Sequence, residues 1–365
     1  MSGFARGDLM PAFVLPSTAA ERFHFDTVAG HRIALCFIGS GGDPRALAMA
    51  AGLCARREAL WGAGVALFLV SCDPADRASG RLEAVRNGAT VLWDFEAEAA
   101  RRYGRARIEG GTITLDVGTT VLERNLRFVA TVPAGSPEAH ADAVAAVAAG
   151  LAAEPPGREI ARQAPVLLIP EVFDPELCRR LIAIYEADGG TVSGFMRQEG
   201  GRMIGVHDPS FKRRRDCILT EAGLLAELRG AIERRVVPEV RKAFGYRITR
   251  MERHIVACYD AGEGGFFRAH RDNTTAGTAH RQFAMTVNLN AEAFEGGALR
   301  FPEYGPDTYR APTGGAVVFS CALLHEAQPV TRGRRYAYLP FFYDEAGQAL
   351  RERNQAAVAP LAAAG

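Results

Sequence analysis

Three side chains in this sequence have the types and the spacing to hold one metal ion. His270 and Asp272 flank Arg271, and His325 follows downstream. Two imidazoles and one carboxylate on one face of an octahedral iron(II) ion leave its other positions open. Those positions can take dioxygen together with an electron-donating keto acid. Arg335 lies beyond His325, and its planar guanidinium can form a bidentate pair with a carboxylate. It is therefore read as the anchor for an acidic co-substrate. Arg334 would point to the opposite strand face and is the alternative. The spacing His-x-Asp is weak by itself, because His24-Phe25-Asp26 repeats it. That copy lies in a region of different grammar and is not expected to bind metal. Taken singly, His270, His325 and Arg335 read better as ordinary core or surface residues. The ordered set, inside a strand-rich region, carries the metal reading.

Several elements must bring these residues together. Short apolar runs separated by Gly and Pro predict strands over residues 255–259, 266–272, 283–289, 298–301, 316–320 and 335–343, the pattern of a β-sandwich or jelly roll. On a strand, residues two apart share a face, so 266–272 would present His270 and Asp272 together while Arg271 points away. The same alternation places Thr286 and Asn288 on one polar face. A strand over 166–169 opens this half. Helices follow over 175–187, with Asp174 as N-cap, and over 221–244. The first half alternates instead. Strands are expected over 32–38, 65–71 and 90–93, with helices over 45–62, 78–87, 96–103 and 137–151. A hairpin of 112–116 with 120–128 is expected around Val117-Gly118-Thr119. That alternation predicts an α/β sheet covered on both faces. Glu154-Pro155-Pro156-Gly157 punctuates the chain. The expected organisation is an α/β domain over 1–153, a linker over 154–164, a mostly β domain over 165–350 and a tail over 351–365.

Composition narrows the function classes. The chain has 365 residues, is 48% hydrophobic and 23% charged, and carries a formal net charge of +1. Such a balance gives no bulk attraction to nucleic acid or to a membrane surface, so neither is an expected partner. The run Lys212-Arg213-Arg214-Arg215 reads as a solvated surface patch rather than a docking site. The start lacks the pattern of a signal peptide, and no apolar run approaches the roughly 20 residues of a membrane span. Seven scattered cysteines without CxxC spacing suit a reducing cytoplasm.

Residues from about 166 to 344 resemble the prolyl 4-hydroxylase type of the Fe(II)/2-oxoglutarate dioxygenases. Three segments carry the likeness: 259–273 with Tyr259, His270 and Asp272; 294–302 with its Phe294-Glu-Gly-Gly turn; and 325–336 with His325 and Arg335. The resemblance implies a double-stranded β-helix (jelly roll) with flanking helices. It implies Fe(II) on His270, Asp272 and His325, and Arg335 on the distal carboxylate of 2-oxoglutarate, with ascorbate as a candidate reductant. Tyr259 matches a tyrosine that borders the co-substrate in relatives. Asn288 stands where many relatives have another tyrosine, so a binding and a purely structural role both stay open for these two. Relatives that transfer halide lack the carboxylate found here at Asp272, which implies hydroxylation or another oxidation. The implied substrate is peptidyl or amino-acid-like, oxidised with dioxygen and released alongside succinate and CO2. Its specificity is expected from loops 189–215 and 273–282.

Residues 7–128 resemble the peroxiredoxin branch of the thioredoxin fold. The likeness rests on Gly7-Asp8 to Pro16, on Val70-Ser-Cys-Asp73, and on Trp93-Asp94 with Ala100 to Gly104. The active loop of that family ends in Thr-Pro-x-Cys, whereas this chain has Asp43-Pro44-Arg45-Ala46. The nucleophilic thiolate is therefore missing. The arginine that relatives carry before the hairpin is not evident at Gly110-Gly111. Cys36 and Cys54 read as buried small hydrophobes, and Cys72 sits at a strand end. The implied role is a non-catalytic scaffold, a substrate-presenting module or a surface for homodimer formation. Two other functions stay open: a sensor that binds iron, oxygen or 2-oxoglutarate without turnover, and a thiol peroxidase using the first half. The missing cysteine argues against the second.

Overall fold

The protein is seen in a computed structural model that describes residues 3–109, 112–151, 153, 156–199 and 202–355. The chain divides into two compact units, Met1–Gly157 and Arg158–Gly365. Gly110-Gly111, two residues of the expected linker (154 and 155) and residues 356–365 of the expected tail lie outside the described residues. No helix among the described residues is long and apolar enough to cross a membrane.

The first unit is organised by Arg32–Gly39, a strand buried at every position. Its side chains alternate between two cores. Ala34, Cys36 and Ile38 join one, and Ile33, Leu35 and Phe37 join the other. A strand that is apolar on both faces must be covered on both, which is why this run lacks the polar alternation of an exposed strand. The sheet runs Thr90–Trp93, Val65–Ser71, Arg32–Gly39, Gly118–Leu122, Phe128–Pro133. The first three strands are parallel and the last two antiparallel. This is the α/β sheet that the alternation predicts, in the thioredoxin-like form that the resemblance implies. Helices Pro44–Ala55 and Pro137–Ala149 supply Met49, Leu53, Ala141 and Val144 to one core.

Local readings of this unit need three corrections. The helix expected over 45–62 is two helices, Pro44–Ala55 and Arg57–Gly62, broken where Arg56 leaves helical geometry. The helix expected over 78–87 lies earlier, at Pro74–Ser79. Asp73 caps its start, and Gly80 ends it with φ of +65°, a conformation that favours glycine. The expected hairpin does not form. Thr112–Leu115 pairs back with Ala106–Glu109, while Gly118–Leu122 enters the main sheet between Arg32–Gly39 and Phe128–Pro133.

The second unit holds two facing sheets of antiparallel strands, the double-stranded β-helix expected. The larger follows the order Leu167–Ile169, Ala316–Ser320, Phe283–Asn288, Arg334–Tyr338, Ile255–Asp260, Arg215–Ile218, Thr191–Val192. Phe341–Tyr343 also pairs with Phe283–Asn288 and with Arg250–Glu252. The smaller sheet runs Lys212–Arg213, Phe266–His270, His325–Ala327, Leu299–Arg300, Thr308–Tyr309. Strand alternation sorts the larger sheet. Val256, Cys258, Met285, Val287, Ala316, Val318, Tyr336 and Tyr338 face outward. There they meet Leu177, Leu181, Leu228 and Ile232 of helices Pro175–Asp188 and Ala222–Arg235. The intervening residues Ala257, Tyr259, Ala284, Val317 and Phe319 pack with Leu299 and Ala327 of the smaller sheet. On these strands Thr286, Asn288 and Arg335 fall in the same alternate register, the face between the sheets.

Element ends differ from the sequence reading for identifiable reasons. The helix expected over 221–244 breaks into Ala222–Arg235 and Val237–Phe244, with Pro238 in the first turn of the second. The strand expected over 335–343 is interrupted before Phe341, where Pro340 cannot donate to a ladder. Much of the expected loop 189–215 is strand, including the hairpin of Phe195–Glu199 with Arg202–Val206; residues 200 and 201 lie outside the described residues. The helix Glu345–Gln355 runs across residue 350, where the tail was expected to begin.

Candidate active site

The smaller sheet places the two histidines side by side. His270 ends strand Phe266–His270 and stands in register with His325, the first residue of His325–Ala327. Their ring centroids lie 4.4 Å apart. Asp272 reaches the same point by a different route from the one expected. The strand stops at His270, and Asp272 comes back through the following bend, where its N–H donates to the Cys321 carbonyl at 3.0 Å. Its Oδ1 lies 3.5 Å from His270 Nε2 and its Oδ2 lies 3.3 Å from His325 Nε2. One ligand atom from each of the three residues falls within 4.8 Å of the others. Among the described residues this is the group of this kind that could hold a metal ion. The other His-x-Asp, His24 to Asp26, forms no such group, and its two polar residues are exposed around a buried Phe25.

Hydrogen bonds orient both rings for ligation. His270 Nδ1 lies 2.7 Å from the Arg268 carbonyl and His325 Nδ1 lies 3.0 Å from the Leu323 carbonyl. A carbonyl only accepts, so each Nδ1 carries the proton and each Nε2 presents a lone pair. Burial pushes the His325 imidazole down to about 4 and keeps it neutral at neutral pH. Burial opposes ionisation of Asp272, but the imidazoles of His325 and His270 and the charge of Arg281 outweigh it. Its carboxyl stays below the usual carboxylate range. A carboxylate and two neutral imidazoles are the protonation states that metal ligation requires. Phe267 stacks on His270 at 3.6 Å, and Phe319 lies 4.5 Å from His325. These aromatic neighbours hold the rings in place.

Arg335 is 2% exposed. Its Nε donates to Asn288 Oδ1 at 3.2 Å and an Nη donates to Thr286 Oγ1 at 3.0 Å. Neither acceptor is a carboxylate, and burial pulls its pKa below the ordinary guanidinium value. A buried guanidinium without a counter-charge is costly unless an anion joins it. Arg335 shares a cavity of about 60 Å³ with His270, Asp272, His325, Tyr259 and Thr286. Arg334 is exposed and bound to Asp260 at 2.7 Å, which separates it from this cavity. Tyr259 is buried beneath Arg335, whose guanidinium carbon lies 5.1 Å from the ring centroid. Asn288 also donates to the Ala311 carbonyl at 2.8 Å, so it is fixed at both ends. Arg271 points away from the ion position, as expected, and pairs with Glu303 at 2.7 Å.

The basic run is not the solvated patch that the sequence suggests. Lys212 and Arg214 are buried, while Arg213 is exposed and Arg215 half-buried. The Lys212 amine donates to Ser193 Oγ and to the Gly194 carbonyl, both at 2.7 Å. Burial, reinforced by Arg214, pushes it down to about 5. Arg214 grips Asp216 with two bonds of 2.7 Å and donates to Tyr259 Oη at 3.2 Å. Residues two apart share a strand face, and that signal was available for Lys212 and Arg214. Arg253 and Arg281, from separate segments, carried no local signal. With Lys212 they line a larger cavity of about 620 Å³ that opens onto His270 and Asp272.

Comparison with known proteins agrees with this geometry. Residues 254–343 match the family model described as the 2OG-Fe(II) oxygenase superfamily. That span contains all three metal-site residues and Arg335. A PKHD-type hydroxylase from a Synechococcus strain is 32% identical over 89 residues, which cover 23% of this chain and 39% of that protein. The match thus spans about two fifths of that relative's length. A PKHD-type hydroxylase from Pseudomonas putida is 28% identical over 193 residues, covering 49% of this chain and 78% of that one. Among solved structures, a prolyl hydroxylase from Trichoplax adhaerens, in complex with a hypoxia inducible factor peptide, is 18% identical with a TM-score of 0.42. It covers 51% of this chain and 86% of its own. Peroxidoxin BcpB from Mycobacterium tuberculosis is 18% identical with a TM-score of 0.38, covering 41% of this chain and 99% of its own.

Proposed function

We propose that this chain, whose second unit carries a 2OG-Fe(II) oxygenase domain, is an Fe(II)- and 2-oxoglutarate-dependent dioxygenase. It hydroxylates a C–H bond of a peptidyl or amino-acid-like substrate and releases succinate and CO2. One observation carries the reading: a buried Arg335 with no carboxylate partner among the described residues shares a cavity with three converging metal donors. The donor set suits Fe(II), with two imidazole nitrogens and one carboxylate oxygen on one side of the ion position. His270, Asp272 and His325 would hold the ion. When bound, iron and the keto acid would supply the chemistry that activates dioxygen, which is the oxidant, with the keto acid giving two electrons as it becomes succinate and CO2.

The chain's own residues bind and orient. Arg335 meets the distal carboxylate of 2-oxoglutarate. Thr286 and Asn288 fix the plane of its guanidinium, and Tyr259 forms the wall beneath. The Arg268 and Leu323 carbonyls lock the ligating tautomers. A reducing, cytoplasmic setting belongs to the same reading and is supported by seven free cysteines.

The test is turnover. The full chain is incubated with Fe(II), 2-oxoglutarate, ascorbate and oxygen, and succinate is counted against protein. Succinate in excess over protein, with an oxidised product once a substrate is supplied, is expected. Succinate that never exceeds the protein would reduce the assignment to a sensor.

A further inference from the structure

The larger cavity has two contrasting walls. One is aromatic: Phe195 lies 4.7 Å from Phe211, Phe211 lies 5.7 Å from Phe267, and Phe267 stacks on His270. The other is cationic and is led by Arg253 and Arg281. Both guanidinium groups lie over Phe341, at 5.5 and 4.0 Å from its centroid. Each spends little of its donor capacity within the chain. Among the described residues the Arg253 side chain donates one hydrogen bond, to Asp216 at 3.2 Å, and the Arg281 side chain one, to Glu252 at 2.7 Å. A guanidinium has five N–H donors, so most on each group remain for a ligand.

The counter-charges are too few. Three cations, Arg214, Arg253 and Arg281, meet two carboxylates, Asp216 and Glu252, while burial keeps the Lys212 amine neutral at neutral pH. Asp216 is already gripped at both oxygens by Arg214. Glu252 also has His280 and Arg351 within 3.1 and 3.5 Å. Burial, with repulsion from Arg214 and Arg281, lowers Arg253 to about 10. Its backbone is held at φ of +65°, a strained conformation for a residue with a side chain, and such strain clusters at ligand sites. A 2-oxoglutarate dianion would not quench this charge, because the ferrous ion and Arg335 balance it together with Asp272.

We infer that the substrate carries an oxyanion, a carboxylate or a phosphate, which Arg253 and Arg281 clamp while its carbon chain lies along the phenylalanine wall toward His270 and Asp272. This names a substrate class for the proposed oxygenase and rests on that reading. Planar guanidinium forks suit oxyanions.

Calorimetry on the full chain tests it, anaerobically and loaded with Fe(II) and 2-oxoglutarate. Three probes are used: N-acetylglutamate amide, N-acetylphosphoserine amide and the neutral N-acetylglutamine amide. At least one charged probe should bind about tenfold tighter than the neutral one, and the better of the two identifies the oxyanion. Arg253→Gln and Arg281→Gln should each weaken that probe about tenfold while leaving the 2-oxoglutarate dissociation constant within about twofold. Equal binding of charged and neutral probes, or no binding of any, would overturn the inference without needing either variant to fold. So would an Arg253→Gln chain that loses 2-oxoglutarate but keeps the probe, since Arg253 would then serve the keto acid. Failure of the wild-type chain to take up 2-oxoglutarate would sink the proposed function instead. The ratio of charged to neutral probe, measured on the metal-free chain, would still read the oxyanion pocket.

Discussion

Helix Pro74–Ser79 of unit one, which packs on the loop before Pro44–Ala55, and the inner face of the β-helix in unit two both bury charged groups, but they treat them oppositely. In the first, the fully buried Asp76 accepts from Gly41 N–H at 2.7 Å, Ser71 Oγ at 2.7 Å and Arg81 at 2.8 Å. These three donors are all spent on Asp76. Where relatives of this fold carry a reactive cysteine, the first helical turn holds the buried Ala46. Burial pushes Cys36 up to about 11 and Cys54 and Cys72 up to about 12, which keeps all three as thiols. In the second unit, Arg335 and Arg253 are left with donors unspent beside converging metal ligands. A closed network stabilises, whereas an open one is a site awaiting a ligand. The closed network around Asp76 accords with the non-catalytic reading of unit one, and the open one around Arg335 with the oxygenase reading of unit two.

That contrast can be broken in several ways. The largest effect is expected from Asp272→Ala or His325→Ala. Succinate release should fall more than about a hundredfold, because even the outer partners of ligands are worth tenfold to a hundredfold. Retained turnover in a quantitative succinate assay would remove the metal site from the account. Arg335→Leu should raise the 2-oxoglutarate concentration needed for half-saturation about a hundredfold, the scale of a lost bidentate charge pair. Arg335→Lys should recover part of it, because lysine keeps the charge but not the fork.

A pH effect follows from Glu252, whose side chain is 11% exposed. Burial opposes its ionisation, but His280 and Arg281 outweigh burial and hold its carboxyl at about 2, below the usual glutamate value of about 4.5. A depressed carboxyl stabilises the fold above its unfolded pKa. The contribution is lost as pH falls from about 4.5 toward 2, and amounts to at most about 3 kcal/mol. Denaturant titrations across that window should show the loss, and Glu252→Gln should flatten it. In unit one, Asp76→Ala should cost about 2–3 kcal/mol by stranding the buried Ser71 and Gly41 donors. An unchanged denaturation midpoint would contradict the closed-network reading. The smallest effect concerns thiol chemistry: Cys54→Ser and Cys72→Ser should leave peroxide consumption at the rate of protein-free buffer.

Much of the site could be read from residue order. His270, Asp272, His325 and Arg335 declared themselves by type, and strand alternation separated Arg335 from Arg334 and joined Thr286 to Asn288. The route of Asp272 was misjudged, because the pattern cannot show that a strand stops two residues early. The pairing of Thr112–Leu115 was misread because a strand between two neighbours is equally compatible with either, and only the sheet decides. Lys212 and Arg214 were hidden by their company: four adjacent cations look solvated unless alternation is applied within the run. Arg253 and Arg281 meet only through the tertiary fold, so the cationic wall had no signature in the sequence.

The most direct test of the central claim is an anaerobic titration of the metal-free chain with Fe(II) and 2-oxoglutarate, following the visible metal-to-ligand charge-transfer band. The account predicts a saturable band that disappears in His270→Ala and demands far more 2-oxoglutarate in Arg335→Ala. A folded wild-type chain that gives no band would contradict the oxygenase assignment and return attention to the first unit.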